Sequence, residues 1–115
     1  MKLKTGLSDA DRKGVTRILS SLLADEYVLY TKARNYHWNV VGRHFSELHK
    51  FFEAQYEELD NIIDEVAERI RALGGTSPGT LGEFLKLTRL REDSDGDVAK
   101  GMLGSLLEDH EMIIR

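Results

Sequence analysis

The 115-residue sequence contains no cysteine, so it forms neither a disulfide framework nor a zinc–thiolate site, and a reducing compartment suits it. It has one proline, Pro78, and few β-branched runs, which leaves long stretches where nothing opposes an α-helix. No apolar stretch is long enough to span a bilayer, and the opening Met1-Lys2-Leu3-Lys4-Thr5-Gly6 lacks the apolar core of a signal peptide. A cytoplasmic protein is expected. Basic excess is also missing: the formal net charge is −4 and the pI about 5.5, a poor balance for binding a polyphosphate backbone. Lys2, Lys4, Arg12 and Lys13 do gather at the amino end, where such residues more often solubilise than bind. Internal repeats and low-complexity tracts are absent, and the length holds a single domain over 1–115.

What the sequence does have is helical periodicity. A first long helix is expected from Ser8, whose hydroxyl can cap the amide of Asp11, with Asp9 and Asp11 at the positive end of the helix dipole. Val15, Ile18, Leu19, Leu22 and Leu29, then Ala33 and Tyr36, recur at helical spacing, and the helix should end near Asn39, before Gly42. A second begins around His44 to Ser46. Its apolar stripe is Phe45, Leu48, Phe52, Leu59, Ile63, Val66 and Ile70, and Leu73-Gly74-Gly75 stops it. Thr76-Ser77-Pro78-Gly79 reads as a loop, and Leu81 to Leu87 as a short helix of about two turns.

The polar stretch from Arg91 to Asp97 resembles a calcium loop only superficially. Its glycine falls too early for an EF-hand and no terminal Glu follows, so it reads as a turn with a cap from Asp97. A third long helix then carries Val98, Met102, Leu103, Leu106, Leu107, Ile113 and Ile114. It is still in period at Arg115, without a Gly, Asn or Pro stop signal. Three amphipathic helices of this length ordinarily need a fourth to cover their shared apolar face, supplied by a partner or by a longer chain.

The second helix also holds a line of ligand-type residues: His49, Glu53, Glu57, Asp60, Asp64 and Glu68. At about 100° per residue they fall within a sector of roughly 100°, beside the apolar stripe. Acids on a solvated face are the commoner origin of such a line. Here, however, His49 with Glu53 and Asp64 with Glu68 make two i,i+4 pairs, and mixed carboxylate and imidazole ligands suit iron, manganese or zinc. His49 and Asp64 lie about 22 Å apart along one helix axis, too far to share a metal. An antiparallel copy of the same helix would bring Asp64 and Glu68 of one subunit to His49 and Glu53 of another, with a two-fold axis generating two identical sites. His37 ends the first helix in Asn35-Tyr36-His37-Trp38-Asn39, and the short linker through Gly42 folds it back towards His49. A lone histidine at a helix end often serves only the helix dipole; with His49 at matching depth, a ligand role is the stronger reading.

At these residues the sequence resembles the Dps family of mini-ferritins. The resemblance runs from Tyr30 through Asn35-Tyr36-His37-Trp38-Asn39, Gly42, Phe45 and Leu48-His49, continues in Phe52-Glu53, Asp64-Glu65-Val66-Ala67-Glu68-Arg69 and Leu73-Gly74-Gly75, and extends over the whole chain. It implies an all-α, ferritin-like four-helix-bundle fold with a short helix between helices two and three, and a dodecameric shell with two-iron ferroxidase sites at two-fold interfaces. On that pattern His37, His49 and Glu53 come from one subunit, and Asp64 and Glu68 from its neighbour. Trp38 would lie near the metal, where it quenches stray oxidant or simply packs at a helix end. Two departures stand out. Glu53 occupies a position where the family usually has Asp, and the family's fourth long helix is absent from this sequence, which bears on shell closure.

The implied activity is oxidation of Fe(II) by hydrogen peroxide, or more slowly by oxygen, with storage of ferric mineral and protection of DNA. His44 and His110 lack a carboxylate three residues before them, so the Glu-x-x-His motif of a di-iron site inside one bundle is missing, and both are expected to be surface or structural. The alternative is a DNA-compacting, nucleoid-associated protein with little ferroxidase activity, permitted by the basic amino end and opposed by the net charge. A purely structural helical module would leave the matching placement of His37 and His49 unexplained.

Overall fold

Ser8 is the first residue described by the computed structural model, which covers residues 8–92 and 99–114. Its hydroxyl accepts the Asp11 N–H at 3.1 Å and opens α1, Asp9–Asn39, with Asp9 and Asp11 in the first turn. Arg12 pairs with Asp9 on the same turn. Helix α2, Phe45–Ala72, follows after five residues, short enough to force an antiparallel hairpin. Side chains match along its whole length: Tyr36 meets Phe52, Tyr30 meets Tyr56, and Leu23 and Ala24 share a cluster with Ile70.

Gly74, at φ 88°, closes α2 in the left-handed conformation. The Gly75 N–H then donates to the Ile70 carbonyl at 3.1 Å. A Cβ at Gly75 would stand 2.8 Å from Cγ2 of Thr16, so the end of α2 lies flush against α1 only because no side chain intervenes.

Helix α3, Leu81–Leu87, is too short to be stable alone and is held by a capping box. Thr80 Oγ1 accepts the Glu83 N–H at 3.2 Å, and the Glu83 carboxylate accepts the Thr80 N–H at 3.1 Å. These bonds to the charged form hold the Glu83 carboxyl below its usual range, the one from the Gly79 N–H foremost. Phe84 is buried and stacks on Tyr27 at 4.4 Å between centroids, tying α3 to α1. Helix α4, Ala99–Ile114, packs along α1. The expected order of three long helices with one short helix before the last is therefore present. No strand occurs among the described residues, and no helix there is long and apolar enough to cross a membrane. The cap at Asp97, Val98, the basic Lys2 and Lys4, and the packing of Leu103 and Ile114 lie outside the described residues and side chains.

Among the described residues, two apolar clusters form the core. Val28, Leu29, Ala33, Tyr36, Val40, Phe52, Leu59, Met102 and Leu106 unite α1, α2 and α4; Leu23, Ala24, Ile70 and Phe84 close the other end. Not every residue in period is buried. Ile18 is 70% exposed and Leu107 61%, and Val15 is 37% exposed at a shallow surface groove with Leu73, while Leu19 and Val66 on the same groove pack partly against the second cluster. Periodicity marks a face, but burial needs a neighbour on that face.

Charges also enter the interior. Asp25 is fully buried, accepting from Thr88 Oγ1 at 2.8 Å, the Arg89 N–H at 2.7 Å and Arg89 Nε at 2.9 Å. Lys32 pairs with Asp109 of α4 at 2.6 Å. Burial pushes the Asp109 carboxyl up, and Lys32 opposes that shift. Asp25 thus fastens the segment after α3 to α1, and Lys32 fastens α4 to it.

Candidate metal centre

Gly42, at φ 120°, takes a backbone conformation that side chains disfavour and lets the chain reverse within Val40–His44. Val40 anchors this turn from inside, 1% exposed, its N–H bonded to the Tyr36 carbonyl. The reversal sets the last turn of α1 beside the first turns of α2. That alone brings two histidines twelve residues apart into contact.

His37 and His49 stack with ring centroids 3.5 Å apart and planes 20° from parallel. Nδ1 of His37 lies 2.6 Å from the His49 carbonyl oxygen, and Nδ1 of His49 lies 2.6 Å from the His37 carbonyl oxygen. A carbonyl oxygen only accepts, so each Nδ1 must carry the hydrogen. In the neutral rings both Nε2 atoms then keep their lone pairs, the tautomer a metal-binding imidazole needs when its other nitrogen is oriented by a hydrogen bond. His37 is buried and His49 half-buried; Tyr56 sets its ring edge-on to His37 at 5.3 Å, and Phe45 stacks on His49 at 5.1 Å. The pair is thereby fixed in orientation from both sides.

Glu53, one turn after His49 on α2, is half-buried. Asp64 and Glu68 are exposed, further along α2. Within one chain the structure brings together His37 and His49 and leaves Asp64 and Glu68 remote. Among the described residues no group of three or more His, Asp or Glu is gathered closely enough to hold a metal ion. Trp38 is 63% exposed near the end of α1 and lines a groove with Thr31, Asn35, Leu81 and Leu85. His44 is exposed, with Nδ1 3.7 Å from the Glu47 carboxylate, and His110 is exposed on α4.

A group that reasoning from sequence passed over lies beside this pair. The Arg34 guanidinium carbon is 4.1 Å from the Tyr56 ring centre, 5.4 Å from Tyr30 and 5.8 Å from Trp38, and Nε donates to the Tyr30 hydroxyl at 2.8 Å. The spacing Tyr30, Arg34, Trp38, each four apart on α1, was the available signal, since such residues share one helix face. Three aromatic contacts to one cation make a cage.

A family model described as a ferritin-like domain matches residues 16–115. The chain is 46% identical over 116 residues to an uncharacterised low temperature-induced protein of Nostoc, covering 99% of this chain and 64% of that protein. It is 41% identical over 102 residues to DNA protection during starvation protein 2 of Bacillus anthracis, covering 89% of this chain and 70% of that one. Among solved structures, the Dps protein of Vibrio cholerae, described as a member of a broad superfamily of ferritin-like diiron-carboxylate proteins, superposes with a TM-score of 0.92 at 31% identity. That match covers 98% of this chain and 72% of the other. DpsC of Streptomyces coelicolor gives 0.93 at 32% identity, over 98% of this chain and 66% of the other. The chain thus spans about two thirds of the length of these relatives. Extent of match, shared helix order and identity agree, and the chain belongs to the Dps mini-ferritins of the ferritin-like family.

Proposed function

We propose that this chain is the ferroxidase part of an iron-storing, DNA-protecting mini-ferritin, acting as a homo-oligomer in the cytoplasm and completing its site only when two copies pair. The observation that carries the reading is the reciprocal bonding of His37 and His49, which leaves both Nε2 atoms as acceptors. In an antiparallel pairing of α2 with its copy, Asp64 and Glu68 of the partner subunit approach His37, His49 and Glu53, giving two equivalent sites per dimer. The DNA-protection names of relatives agree with the overall role.

Iron is the substrate here. His37, His49 and Glu53, with the partner's Asp64 and Glu68, hold two Fe(II) ions; imidazole and carboxylate tolerate both iron oxidation states. Each ferrous ion gives up one electron. Hydrogen peroxide takes both, its O–O bond breaks, and two protons complete two water molecules. Two electrons delivered together avoid release of a hydroxyl radical, and Trp38, next to His37 in the sequence, is the residue assigned to intercept oxidant that escapes. Oxygen is the slower oxidant. Ferric product is stored as mineral within a closed dodecameric assembly, the form the family resemblance implies, and removal of iron and peroxide together protects DNA.

The test is anaerobic Fe(II) loading followed by peroxide, monitoring ferric absorbance in wild type and in His37→Ala/His49→Ala. Rapid oxidation lost by at least about a hundredfold in the double variant is the expected result, as for removal of ligands that act as a unit. Equal, slow oxidation in both proteins overturns it.

A further inference from the structure

The pairing just described, on which this inference rests, has an electrostatic consequence at its centre. If Glu53 faces the partner's Asp64 and His49 faces the partner's Glu68, the two-fold axis crosses α2 between Glu58 and Leu59. Glu57 then faces the partner's Asp60, and Asp60 faces the partner's Glu57. Both residues are exposed and lie in the same angular sector of α2 as the metal-ligand residues. Four carboxylates therefore converge on the axis, away from the metals, where they repel one another as the surfaces close and water leaves.

A cation is already placed beside them. Arg34 lies over Tyr56, and Tyr56 precedes Asp60 by one turn of α2. The guanidinium is held by faces of Tyr30, Tyr56 and Trp38 and by its hydrogen bond to the Tyr30 hydroxyl, so its side chain is already ordered in the single chain. That hydrogen bond raises the Arg34 pKa most; nearby Tyr30, Tyr56 and Asp60 add to the rise, and desolvation opposes it. The carboxylate of Asp60 is thus within electrostatic reach of Arg34 before any partner arrives.

We infer that Arg34 is the positioning residue of the two-fold interface: two caged guanidinium groups, one from each copy, neutralise the axial Glu57 and Asp60 carboxylates and so permit the pairing that completes the metal site. Arg34 holds no metal and touches no oxidant in this role. It makes the second copy of this chain an acceptable partner, and its removal leaves an interface whose own charges oppose closure.

The experiment is sedimentation velocity in EDTA, so that no metal ion neutralises the axis, on wild type, Arg34→Gln and Arg34→Lys, from about 20 mM to about 0.5 M salt. Circular dichroism checks that helix content is unchanged. Arg34→Gln should dimerise roughly tenfold more weakly than wild type at low salt and regain affinity as salt screens the carboxylates, whereas Arg34→Lys, which keeps the charge but loses the stacked fork, should fall between the two. A general packing defect would persist at every salt concentration. The register is read separately: the chain has no cysteine of its own, so an equimolar mixture of Glu57→Cys and Asp60→Cys chains should cross-link, residue 57 of one copy to residue 60 of the other, on oxidation. Arg34→Gln pairing like wild type at low salt, a deficit that salt does not relieve, or Arg34→Lys failing as badly as Arg34→Gln each overturns the role of Arg34 while the cross-link keeps the pairing. A dimer that does not cross-link, or a wild-type chain that stays monomeric, overturns the pairing and the role together.

Discussion

His37 and His49 hold one another through backbone carbonyls rather than through a carboxylate, so their tautomer is set by the hairpin itself. Other single residues carry comparable weight for stability. Asp25 is fully buried and is matched by three donors from Thr88 and Arg89, so Asp25→Ala leaves the Thr88 hydroxyl and the Arg89 N–H without their acceptor. A loss of roughly 3 kcal/mol is expected, read as a lower urea midpoint with an unchanged slope. Glu26 behaves in the opposite way. Its carboxyl is buried, and desolvation first, then the neighbouring Asp25 charge, raises its pKa above the ordinary value. A carboxyl raised on folding binds more protons in the native state, so its destabilising effect appears as pH climbs above the unfolded pKa and is complete above the folded one. Glu26→Gln should therefore raise the melting temperature at pH 7, and the two melting curves should converge near pH 4. A variant equally stabilised at both pH values would show that the charge is not the cause.

At the scale of elements, the helix boundaries follow local chemistry. Ser8 caps α1, Gly74 ends α2, and the Thr80–Glu83 box encloses a helix of seven residues. Because α3 has so few internal hydrogen bonds, its cap is a large part of its stability, and Thr80→Ala should cost about 1 kcal/mol. The effect should centre on α3: amide exchange there should rise, while the middle of α1 exchanges as before. Uniformly faster exchange would mean that the cap supports the whole fold. The apolar stripes of α1 and α2 were legible from period alone, but which of their members are buried was not. Ile18 and Phe52 both occupy expected apolar positions, yet one is 70% exposed and the other fully buried, because only Phe52 has Tyr36 and its neighbours across from it.

At the scale of the whole molecule, the proposed function depends on what meets the exposed face of the α1–α2 hairpin. That face carries the caged Arg34, Trp38 and the row of carboxylates on α2, while the apolar core lies behind it. Pairing across it would complete the metal ligands and bring like charges together in one movement. Iron oxidation and dimer formation should consequently be linked: Fe(II) should tighten the wild-type dimer, since a ligand shared between copies stabilises the assembly that binds it.

The sequence by itself determined the helices and their order, because capping, glycine stops and a 3.6-residue period are local, and it supplied His37, His49, Glu53, Asp64 and Glu68 as the candidate ligands of the proposed site, because their donor chemistry does not depend on the fold. Only the tertiary structure decided that His37 and His49 orient each other, that Asp25 and Lys32 enter the interior with partners, and that Arg34 is enclosed by three rings. Asp25 and Arg89 are 64 residues apart in the chain, and Arg34 meets Tyr56 only across the α1–α2 interface. No local period encodes such contacts. They depend on which helix faces are brought together, and that is settled by the packing of the whole core.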